Sequence, residues 1–559
     1  MATMTALAVA AAVGLLCHWQ LFSRGEWEKH TPAVAAVYFI AAVGLLAGLL
    51  LRLSLYDSLA TLAALSSSHL AALFASICLY RLCFHALKQF PGPVVAKLSG
   101  FWSVGCALPQ FKFHEAVQGL HREHGDFVRI RPREISVNNV AAVRDIHGFG
   151  SVCLKGPFYD LNYPSRSLQM TRDKAFHTKR RRTWDRGFSP KALSEYEPRV
   201  FQHCSDLVKQ LSSLEGTPVD IGKWFKYFGF DVMGDLSFGR SFDMLRSGSP
   251  HFLFGMMEAG KPVVGTLIGV PWLFILFQKL PGISRVRANW ISWCGKQLGT
   301  TRLDLFSYIL GNDLNEQVND GDLTYDAELA IVAGSETTAL NLTTVLYLLA
   351  LHPHQKKALQ AEIDQLVPTI DQLSHQKLAG SPVLEGCINE ALRLYPPVPS
   401  GVQRLTPPQG AMIADRWIPG DTIVSTPTYS LHRDSRYFVQ PANFIPERWS
   451  SKPDLIIRKD AFNPFLAGKY SCAGRPLAMM EMRMLLAMVV RLFDFNFPKE
   501  SRVGADKLYD GKGGFRDYFT ADAPTVPLVF TKRSLDRANG LDRANGFDRA
   551  NGLDRANRA

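Results

Sequence analysis

The sequence has few features that would indicate disulfide, zinc or covalent cofactor chemistry. Its nine cysteines lie between Cys17 and Cys472 without paired spacing. There is no C-x-x-C, no C-x-x-C-H for covalent cofactor attachment, and no cysteine and histidine cluster that would suit zinc. Scattered cysteines in a large chain are typical of a reducing compartment, where most thiols are buried and inert. A single cysteine therefore needs a second signal before a function is assigned to it.

The sequence also lacks a recognisable nucleotide or nucleic-acid motif. The glycine-rich stretch GKGGF at 511–515 follows no apolar strand and does not predict a nucleotide site. Lysine and arginine exceed aspartate and glutamate by 12, but this positive charge is scattered and no nucleic-acid motif accompanies it. The charge balance instead favours a basic face toward an acidic partner or an anionic membrane surface, and we expect no nucleic-acid partner.

Long apolar stretches are concentrated near the N-terminus. Residues 5–22, 33–51 and 58–80 approach or exceed the length of about 20 residues that a bilayer-crossing helix needs. The second stretch contains no charge, and the third is interrupted by three serines and a histidine. A cleavable signal peptide is the alternative for the first, but that stretch lacks a basic start and another apolar stretch follows it at once. We therefore predict an N-terminal transmembrane anchor of about three helices.

The basic residues around these stretches predict the orientation of the anchor. The loop 23–32 carries Arg24 and Lys29, and Arg81 and Lys88 follow the third stretch, whereas the loop between the second and third carries only Arg52. Because positive loops remain on the cytoplasmic side, the loop 23–32 and everything after residue 80 are predicted to be cytosolic. The N-terminus would then be lumenal.

Proline, glycine and repeats mark the remaining boundaries. KQFPGP at 88–93 forms a stiff elbow, which predicts an anchor at 1–88 and a large domain at 89–533. The tail at 534–559 repeats LDRANG-like hexapeptides and is predicted to be disordered, with partner binding as the alternative. The apolar segment 262–277 is broken by glycine and proline, so we interpret it as a surface element in the membrane interface, with a fourth span as the alternative.

One cysteine lies in a distinctive context, in the stretch FLAGKYSCAGRPLA at 465–478. Gly468 and Gly474 remove side chains where the backbone would pass close to a flat group. The apolar run from Leu477 has helical periodicity, so Cys472 is predicted at or just before a helix N-terminus. Free N–H groups and the helix dipole there stabilise a sulfur anion that could bind a metal. A glycine-rich loop with a chance cysteine is the alternative.

The pattern F-x-x-G-x-x-x-C-x-G followed by L-A resembles the haem-binding signature of the cytochrome P-450 monooxygenases. Phe465, Gly468, Cys472, Gly474 and Ala478 occupy the matching places. The resemblance implies that Cys472 is the axial thiolate ligand of the iron in haem b. It covers roughly residues 90–533, and the three-span anchor resembles that of certain fungal members.

A second motif, AGSETT at 333–338, lies inside a long apolar run that predicts a buried helix. It resembles the distal helix of the family, in which Ala333 and Gly334 would leave room for dioxygen. Glu336 and Thr337 are then predicted to be catalytic, holding water and relaying protons. A helix bent by serine and threonine hydrogen bonds to its own backbone is the alternative. The preceding residues predict that this helix begins late, so either it is short or the chain has lost a piece.

A third motif combines Glu390 and Arg393, spaced E-x-x-R, with Arg448 in the stretch FIPERW. By resemblance these three residues are structural, and we expect them to affect haem retention and not the chemistry. A solvated ion pair on one helix face is the alternative reading of E-x-x-R alone. All of these motifs follow one another in the order that the family shows.

Tyr470 departs from the family, which usually carries arginine or histidine there as a donor to a haem propionate. Tyrosine donates one hydrogen bond but brings no charge, so we expect Tyr470 to be a weak propionate partner. The remaining contacts to the propionates are expected from His177, Arg181 and Arg404, which lie at places the family uses. The rest of one basic run is predicted to be solvated, facing a reductase: Lys179, Arg180 and Arg182.

The resemblance implies a mostly α-helical fold with a small β region, the cytochrome P-450 fold. It implies a monooxygenase that inserts one oxygen atom from dioxygen into a hydrophobic small molecule, such as a fungal polyketide or terpenoid. Electrons would come from NADPH through a separate NADPH–cytochrome P-450 reductase. The expected location is the endoplasmic reticulum membrane, as a multi-pass protein with a cytosolic catalytic domain.

By family position, the substrate pocket is expected to draw on residues 155–172, 256–270 and 399–402 and on Phe519. Two other functions remain open. One is a haem-thiolate isomerase or dehydratase that uses no reductase, which the Glu336–Thr337 pair disfavours. The other is a non-enzymatic membrane protein that does not load haem.

Overall fold

The structure is a computed structural model that describes residues 3–297, 305–310 and 320–534. The predicted hexapeptide repeats, at 535–558, lie outside these ranges, so their predicted disorder stays a prediction.

Helices form most of the described chain. In chain order they are α1 (Met4–Leu16), α2 (Thr31–Leu50), α3 (Leu55–Leu79), α4 (Val94–Leu98), α5 (Phe101–Ala107), α6 (Phe113–His124), α7 (Val140–His147), α8 (Lys174–Gly187), α9 (Pro190–Ser213), α10 (Ile221–Phe238), α11 (Met244–Ser247), α12 (Phe252–Leu267), α13 (Pro271–Gln278), α14 (Pro281–Gln297), α15 (Leu305–Leu310), α16 (Asp320–Leu351), α17 (Pro353–Leu366), α18 (His375–Leu378), α19 (Pro382–Leu394), α20 (Thr428–His432) and α21 (Arg475–Leu492).

The strands are short and form four small sheets. They are β1 (Phe127–Arg131), β2 (Glu134–Val137), β3 (Leu154–Lys155), β4 (Pro218–Asp220), β5 (Arg404–Leu405), β6 (Ala411–Ile413), β7 (Arg416–Ile418), β8 (Ile423–Ser425), β9 (Phe493–Asn496), β10 (Arg516–Tyr518), β11 (Thr520–Asp522) and β12 (Pro527–Lys532). The largest sheet has the order β1-β2-β8-β5-β3, with only β2 and β8 parallel. The other sheets are β4-β12-β9, β6-β7 and β10-β11. This arrangement confirms the predicted mostly α fold with a small β region.

The three predicted spans are long apolar helices. Continuous helix runs over Met4–Phe22, Glu28–Leu50 and Leu55–Phe84, with mean hydropathies of 1.6, 2.4 and 1.7 over the most apolar windows. Almost all of their surface faces away from the protein, as lipid-facing helices require. Gly14 lets α1 pack tightly on α3, because a Cβ at this position would lie 2.3 Å from the carbonyl oxygen of His69. The helices are therefore long and apolar enough to cross a membrane.

The apolar segment 262–277 does not form one helix. It is divided between the end of α12 and α13, with Ile268–Val270 between them. The eight residues of α13 span about 12 Å at 1.5 Å per residue, far less than the roughly 30 Å of a bilayer core. The alternative of a fourth span at this segment is therefore wrong, and α13 packs against α2 instead.

The helix that carries AGSETT is the central helix of the large domain. α16 has 32 residues and begins at Asp320, so it is not short as the sequence suggested. Although it is long and apolar enough to span a membrane, 72% of its most apolar window is buried in the protein. It is therefore a core helix.

Two glycines allow α10 and α16 to cross closely. A Cβ at Gly334 would lie 2.5 Å from the sulfur of Met233, and one at Gly229 would lie 2.6 Å from the carbonyl oxygen of Ser335. Gly334 is thus required by helix packing. The expectation that it leaves room for dioxygen stays a prediction.

A fully buried ion cluster joins α19 to the loop before the cysteine stretch. Glu390, Arg393 and Arg448 each have 0% exposed surface. Glu390 accepts hydrogen bonds from Arg393 Nε (2.9 Å) and Nη2 (2.8 Å), Arg448 Nε (2.9 Å), Trp449 Nε1 (3.0 Å) and the Ile445 N–H (3.0 Å). The remaining arginine N–H groups donate to six backbone carbonyls, those of His432, Val439, Gln440, Pro441, Asn443 and Leu455.

This cluster has the geometry expected of a structural element and not that of a solvated helix pair. A buried ion pair is stabilising only when its polar atoms find partners, and here one carboxylate and six carbonyls satisfy two guanidinium groups.

Removing the negative charge from this cluster should destabilise the large domain. Glu390→Gln would leave two buried guanidinium groups without a counter-charge, and we expect a loss of about 3–5 kcal/mol in the free energy of unfolding. Pulse proteolysis in urea on the membrane-embedded chain measures this loss. Glu123→Gln is the matched control, because the Glu123 side chain is 71% exposed. A loss below about 1 kcal/mol, the range of a surface ion pair, would contradict the structural role.

Candidate active site

The cysteine loop runs from Phe465 into the start of α21. The Cys472 N–H donates to the carbonyl oxygen of Phe465 at 2.9 Å, and the Ser471 N–H donates to that of Gly468 at 3.0 Å. α21 begins at Arg475, with Gly474 as its N-cap. Cys472 therefore lies just before a helix N-terminus, where the sequence predicted it.

The two glycines of the loop act in different ways. Gly468 has φ +69°, and a Cβ there would lie 2.1 Å from the carbonyl oxygen of His147, so only glycine fits. Gly474 has an ordinary φ of −79°, and the nearest protein atom to a Cβ there would be Phe188 Cζ at 3.9 Å. The missing side chain at Gly474 therefore leaves open space beside Cys472, into which a flat group could fit.

Cys472 combines a deep position with accessible surface. It is surrounded by protein on all sides, yet it retains exposed area, which is the property of a residue that faces an internal space. Burial raises the pKa of its thiol, although the N–H groups of Gly474 and Arg475 and the charge of Arg181 lower it. The helix N-terminus therefore does not lower the net pKa, contrary to expectation. A bound cation would have to supply the remaining stabilisation of the thiolate.

On α16, one face retains accessible surface while its neighbours are buried. Ala333 is exposed and Thr337 partly so, whereas Ser335 and Glu336 are buried. Ala333 and Thr337 share a face because they are four residues apart. The Thr337 hydroxyl donates to the Ala333 carbonyl at 2.7 Å, so its oxygen is left to accept a hydrogen bond. The hydrogen bond from a threonine to its own helix backbone, which the alternative interpretation of AGSETT predicted, is thus present at Thr337. It lies on the face of α16 that retains accessible surface.

Glu336 points away from that face into a buried charge cluster. Lys261 Nζ on α12 lies 2.8 Å from Glu336 Oε1, close enough for an ion pair but without hydrogen-bond geometry. Lys261 also contacts Glu258 at 2.6 Å and Asp522 at 3.7 Å, and Lys226 joins Asp522 at 2.8 Å. Three acids therefore share two lysines. The structure does not bring Glu336 and Thr337 into direct contact.

The protonation of Glu336 is controlled by this cluster. Burial raises the pKa of Glu336 to about 7, although Lys261 and Lys226 lower it. Burial lowers the pKa of Lys261, but the carboxylates of Glu336, Asp522 and Glu258 outweigh burial and raise it above its ordinary value. Lys261 therefore remains charged. Sequence reasoning missed Lys261; the only signal was a charged E-x-x-K pair inside the apolar stretch of α12.

A second cluster consists of cations around the ring of Tyr470. Lys155 and Arg404 are directly opposite each other in the β3–β5 ladder, and both are buried. Lys155 Nζ lies 5.0 Å and Arg404 Cζ 4.9 Å from the centre of the Tyr470 ring, and the His177 ring lies at 4.6 Å. Like charges opposite each other in a ladder are destabilising, so a bound anion would stabilise this pair.

Within the described ranges, no aspartate or glutamate forms an ion pair with Lys155 or Arg404. Lys155 Nζ instead donates to the carbonyl oxygens of Leu168 (3.1 Å) and Gln169 (2.6 Å), and Arg404 Nη1 donates to the Tyr159 hydroxyl (2.9 Å). The buried Nε of Arg404 has no hydrogen-bond partner. Burial, together with the charges of Lys155, Arg181 and Arg404, lowers the pKa of His177 to about 3. Burial also lowers the pKa of Lys155, with a contribution from Arg404. Such a site is suited to a ligand that carries carboxylates.

Of the residues predicted to bind propionates, His177, Arg404 and Tyr470 meet in this cation cluster. Arg181 adjoins it and donates to the Ser471 carbonyl at 2.5 Å, while pairing with Asp185 at 2.7 Å. The ring face of Tyr470 contacts cations, and its expected role as a weak propionate partner stays a prediction. Lys155 was not among the residues predicted from the sequence to bind a propionate. Its position in a short, largely apolar strand was the signal that could have indicated it.

The expectation for the basic run on α8 was wrong at one position. Arg180 is only 5% exposed and pairs with the buried Asp326 of α16. It therefore fastens α8 to the central helix. Lys179 and Arg182 are exposed, as predicted.

A cavity of about 60 Å³ is lined by residues from all three segments expected to contact a substrate and by Phe519. Its lining includes Phe158, Gly265, Ser400 and Phe519. Asp517 also lines it and accepts a hydrogen bond from the Ser400 hydroxyl at 2.5 Å. Burial raises the pKa of Asp517 to about 6, despite that hydrogen bond. The cavity thus combines apolar walls with polar side chains, among them Glu134, Gln403 and Asp517; Cys472 and Thr337 are not part of its lining.

The comparisons with known proteins agree with one another. The cytochrome P450 family model matches residues 96–508. The chain is 40% identical over 538 residues to cytochrome P450 monooxygenase nodW of Hypoxylon pulicicidum, covering 95% of this chain and 99% of that one. It is 38% identical to cytochrome P450 monooxygenase FCK2 of Fusarium pseudograminearum, covering 93% and 97%. It is 34% identical to tryprostatin B 6-hydroxylase of Aspergillus fumigatus, covering 94% and 96%.

Removing Lys261 should raise the pKa of Glu336 above about 7, because burial would then act with less opposing positive charge. In Lys261→Met, a larger fraction of Glu336 would be protonated at pH 7 than in the parent chain. The carboxylic C=O infrared band, identified by its loss in Glu336→Gln and titrated with pH, measures this. Lys279→Met is the matched control, because Lys279 is exposed. An unchanged or lower midpoint in Lys261→Met would contradict the coupling.

Proposed function

Because the chain belongs to the cytochrome P450 monooxygenase family, we propose that it inserts one oxygen atom from dioxygen into a hydrophobic small molecule of fungal secondary metabolism. NADPH would supply the electrons through a separate cytochrome P-450 reductase. The observation that carries this proposal is the Cys472 loop. It combines a deep thiol, an open space at Gly474 and a neighbouring buried cation cluster within one family-matched domain.

The family implies haem with a thiolate ligand to iron, and the residues of this chain fit that group. Cys472 would hold the iron, since its sulfur already accepts backbone N–H groups and faces an internal space. Lys155, His177 and Arg404 would hold the propionates, which supply the anions that the cluster lacks. Gly474 would let the flat ring lie against the loop.

Haem bound through a thiolate supplies the activation of dioxygen, which side chains alone do not perform. Ala333 keeps the ligand-facing side of α16 free of bulk. The Thr337 oxygen is available to accept a hydrogen bond from water, because its own proton is donated to the Ala333 carbonyl. We assign Glu336 the role of holding and releasing a proton, because a carboxyl with a pKa of about 7 exchanges protons readily near neutral pH.

The cavity lined by Phe158, Gly265, Ser400 and Phe519 is our candidate for substrate contact. Its apolar walls suit a hydrophobic molecule, and Asp517 would accept a hydrogen bond from a donor group on it. Tryprostatin B 6-hydroxylase, by its name, hydroxylates its substrate, which favours a hydroxylation here. The substrate class expected from the sequence, a polyketide or terpenoid, stays a prediction.

We also propose a multi-pass location in the endoplasmic reticulum membrane with a cytosolic catalytic domain. Three long apolar helices precede the large domain and support this location. The loop between α1 and α2 contacts the large domain through Glu26, which supports their placement on the same side of the membrane. The exposed Lys179 and Arg182 on α8 offer a basic face to an acidic reductase.

Isotope labelling tests the reaction class. The full chain in membranes, reconstituted with a reductase and NADPH under ¹⁸O₂, would be offered a panel of hydrophobic polyketides, terpenoids and indole alkaloids. We expect products that gain one ¹⁸O atom, and none when NADPH or the reductase is omitted. Product formation without NADPH, or without label from dioxygen, would instead establish the isomerase or dehydratase alternative.

A further inference from the structure

The loop between the first two membrane helices is fastened to the large domain by one carboxylate. Glu26 Oε1 accepts from Arg133 Nη2 at 3.0 Å and from Arg172 Nη2 at 3.2 Å, and Glu26 Oε2 contacts Arg172 Nη1. Arg133 also approaches the carbonyl oxygen of Gly25, at 3.5 Å. Two arginines of the large domain therefore converge on one residue of the anchor.

Arg172 connects this contact to the active site. Its Nε donates to the carbonyl oxygen of Lys155 at 3.0 Å, and its Nη1 donates to Asp160 Oδ2 at 2.9 Å. The segment between Lys155 and Arg172 contributes Lys155 to the cation cluster and Phe158 to the candidate substrate cavity. Arg172 is therefore one of the residues that hold this segment, together with Asp322 and Asp326 of α16, which accept from the Arg166 and Leu168 N–H groups.

The two arginines of this contact are matched by two carboxylates only when Glu26 is included with Asp160. Arg133 and Arg172 face Asp160 and Glu26, and all four side chains are three-quarters buried or more. Although burial raises the pKa of Glu26, Arg172 and Arg133 lower it below its ordinary value. A partly buried, multiply bonded carboxylate of this kind is more stabilising than a surface ion pair.

Further contacts hold the loop against the same segment. Lys29 Nζ lies 5.4 Å from the centre of the Tyr163 ring. The short helical turn Glu28–His30 packs against α13 and against the turn Pro157–Asp160. The loop therefore contacts both the end and the middle of the segment that leads from Lys155 to Arg172.

We infer that Glu26 is a positioning residue, through which the membrane anchor forms part of the active-site wall. By holding Arg172, it fixes residues 157–172 over the cation cluster and the substrate cavity. A large domain expressed without residues 1–88 would lose this carboxylate and should bind ligands differently from the full chain. The contact itself does not depend on the proposed function; its consequence for ligand binding does.

Hydrogen exchange of the full chain in lipid nanodiscs tests the contact. Three backbone N–H groups of the segment are hydrogen-bonded and report its opening: Tyr159 to Gly156, Leu161 to Phe158 and Tyr163 to Asp160. In Glu26→Gln, we expect these amides to exchange about 5-fold faster or more, as the loss of a charged hydrogen bond implies. Glu123→Gln, on an exposed carboxylate, should leave them unchanged. Exchange in Glu26→Gln that matches this control would overturn the inference.

Two further variants separate positioning from a general loss of stability. If Glu26 acts through Arg172, the double variant Glu26→Gln/Arg172→Gln should exchange no faster than Arg172→Gln alone. Glu26→Asp, which keeps the charge, should restore part of the protection. Additive effects in the double variant, or no rescue by aspartate, would contradict the role.

The consequence for ligands has a spectroscopic readout. Glu26→Gln should weaken the binding of an azole such as clotrimazole, followed by the Soret shift, while leaving the absorption of the reduced carbon monoxide complex unchanged. Unchanged azole affinity in Glu26→Gln would contradict the inference that Glu26 affects ligand binding in the active site, even if hydrogen exchange were faster as expected. If the chain binds no haem at all, the proposed function fails, and the exchange experiment still decides whether Glu26 positions the segment.

Discussion

The candidate site depends on positive charge that is buried without a pairing carboxylate among the described residues. Lys155 and Arg404 are opposite each other in a ladder, both out of water, with His177 beside them and the Tyr470 ring between. Such a cluster opposes folding unless an anion joins it. A cofactor with two carboxylates would supply what is missing, so binding of the cofactor and stability of this region should be linked.

The three buried charge clusters differ in how far the protein satisfies them, and this difference separates their roles. Around Glu390, one carboxylate and six carbonyls satisfy both guanidinium groups, so that cluster is structural. Around Tyr470, no carboxylate of the described residues pairs with Lys155 or Arg404, so we propose that cluster as a ligand site. Around Glu336, three acids share two lysines, and burial raises the pKa of Glu336 to about 7, which supports its proposed role in proton exchange. Charge balance thus supports three different proposed roles in one domain: scaffold, cofactor site and proton carrier.

The sequence predicted the features that rest on local spacing. The helix start after Cys472, the buried helix around Glu336 and Thr337, and the E-x-x-R pair at Glu390 all follow from neighbours along the chain. It could not predict contacts made between distant segments. The pairing of Lys261 with Glu336, of Arg180 with Asp326, and of Lys155 opposite Arg404 joins residues that are 75 to 249 positions apart. For the same reason the sequence did not predict that Gly334 packs against Met233 of another helix.

The absorption spectrum of dithionite-reduced membranes under carbon monoxide tests the central claim most directly. The account predicts a strongly red-shifted Soret band that disappears in Cys472→Ala and is weakened in Lys155→Met. The band should persist in Cys204→Ala, which changes a buried core thiol, and in Arg182→Met, which changes an exposed cation. An expressed, membrane-bound chain without this band, or a band that survives Cys472→Ala, would contradict the assignment of the thiolate and of the cofactor site built around it.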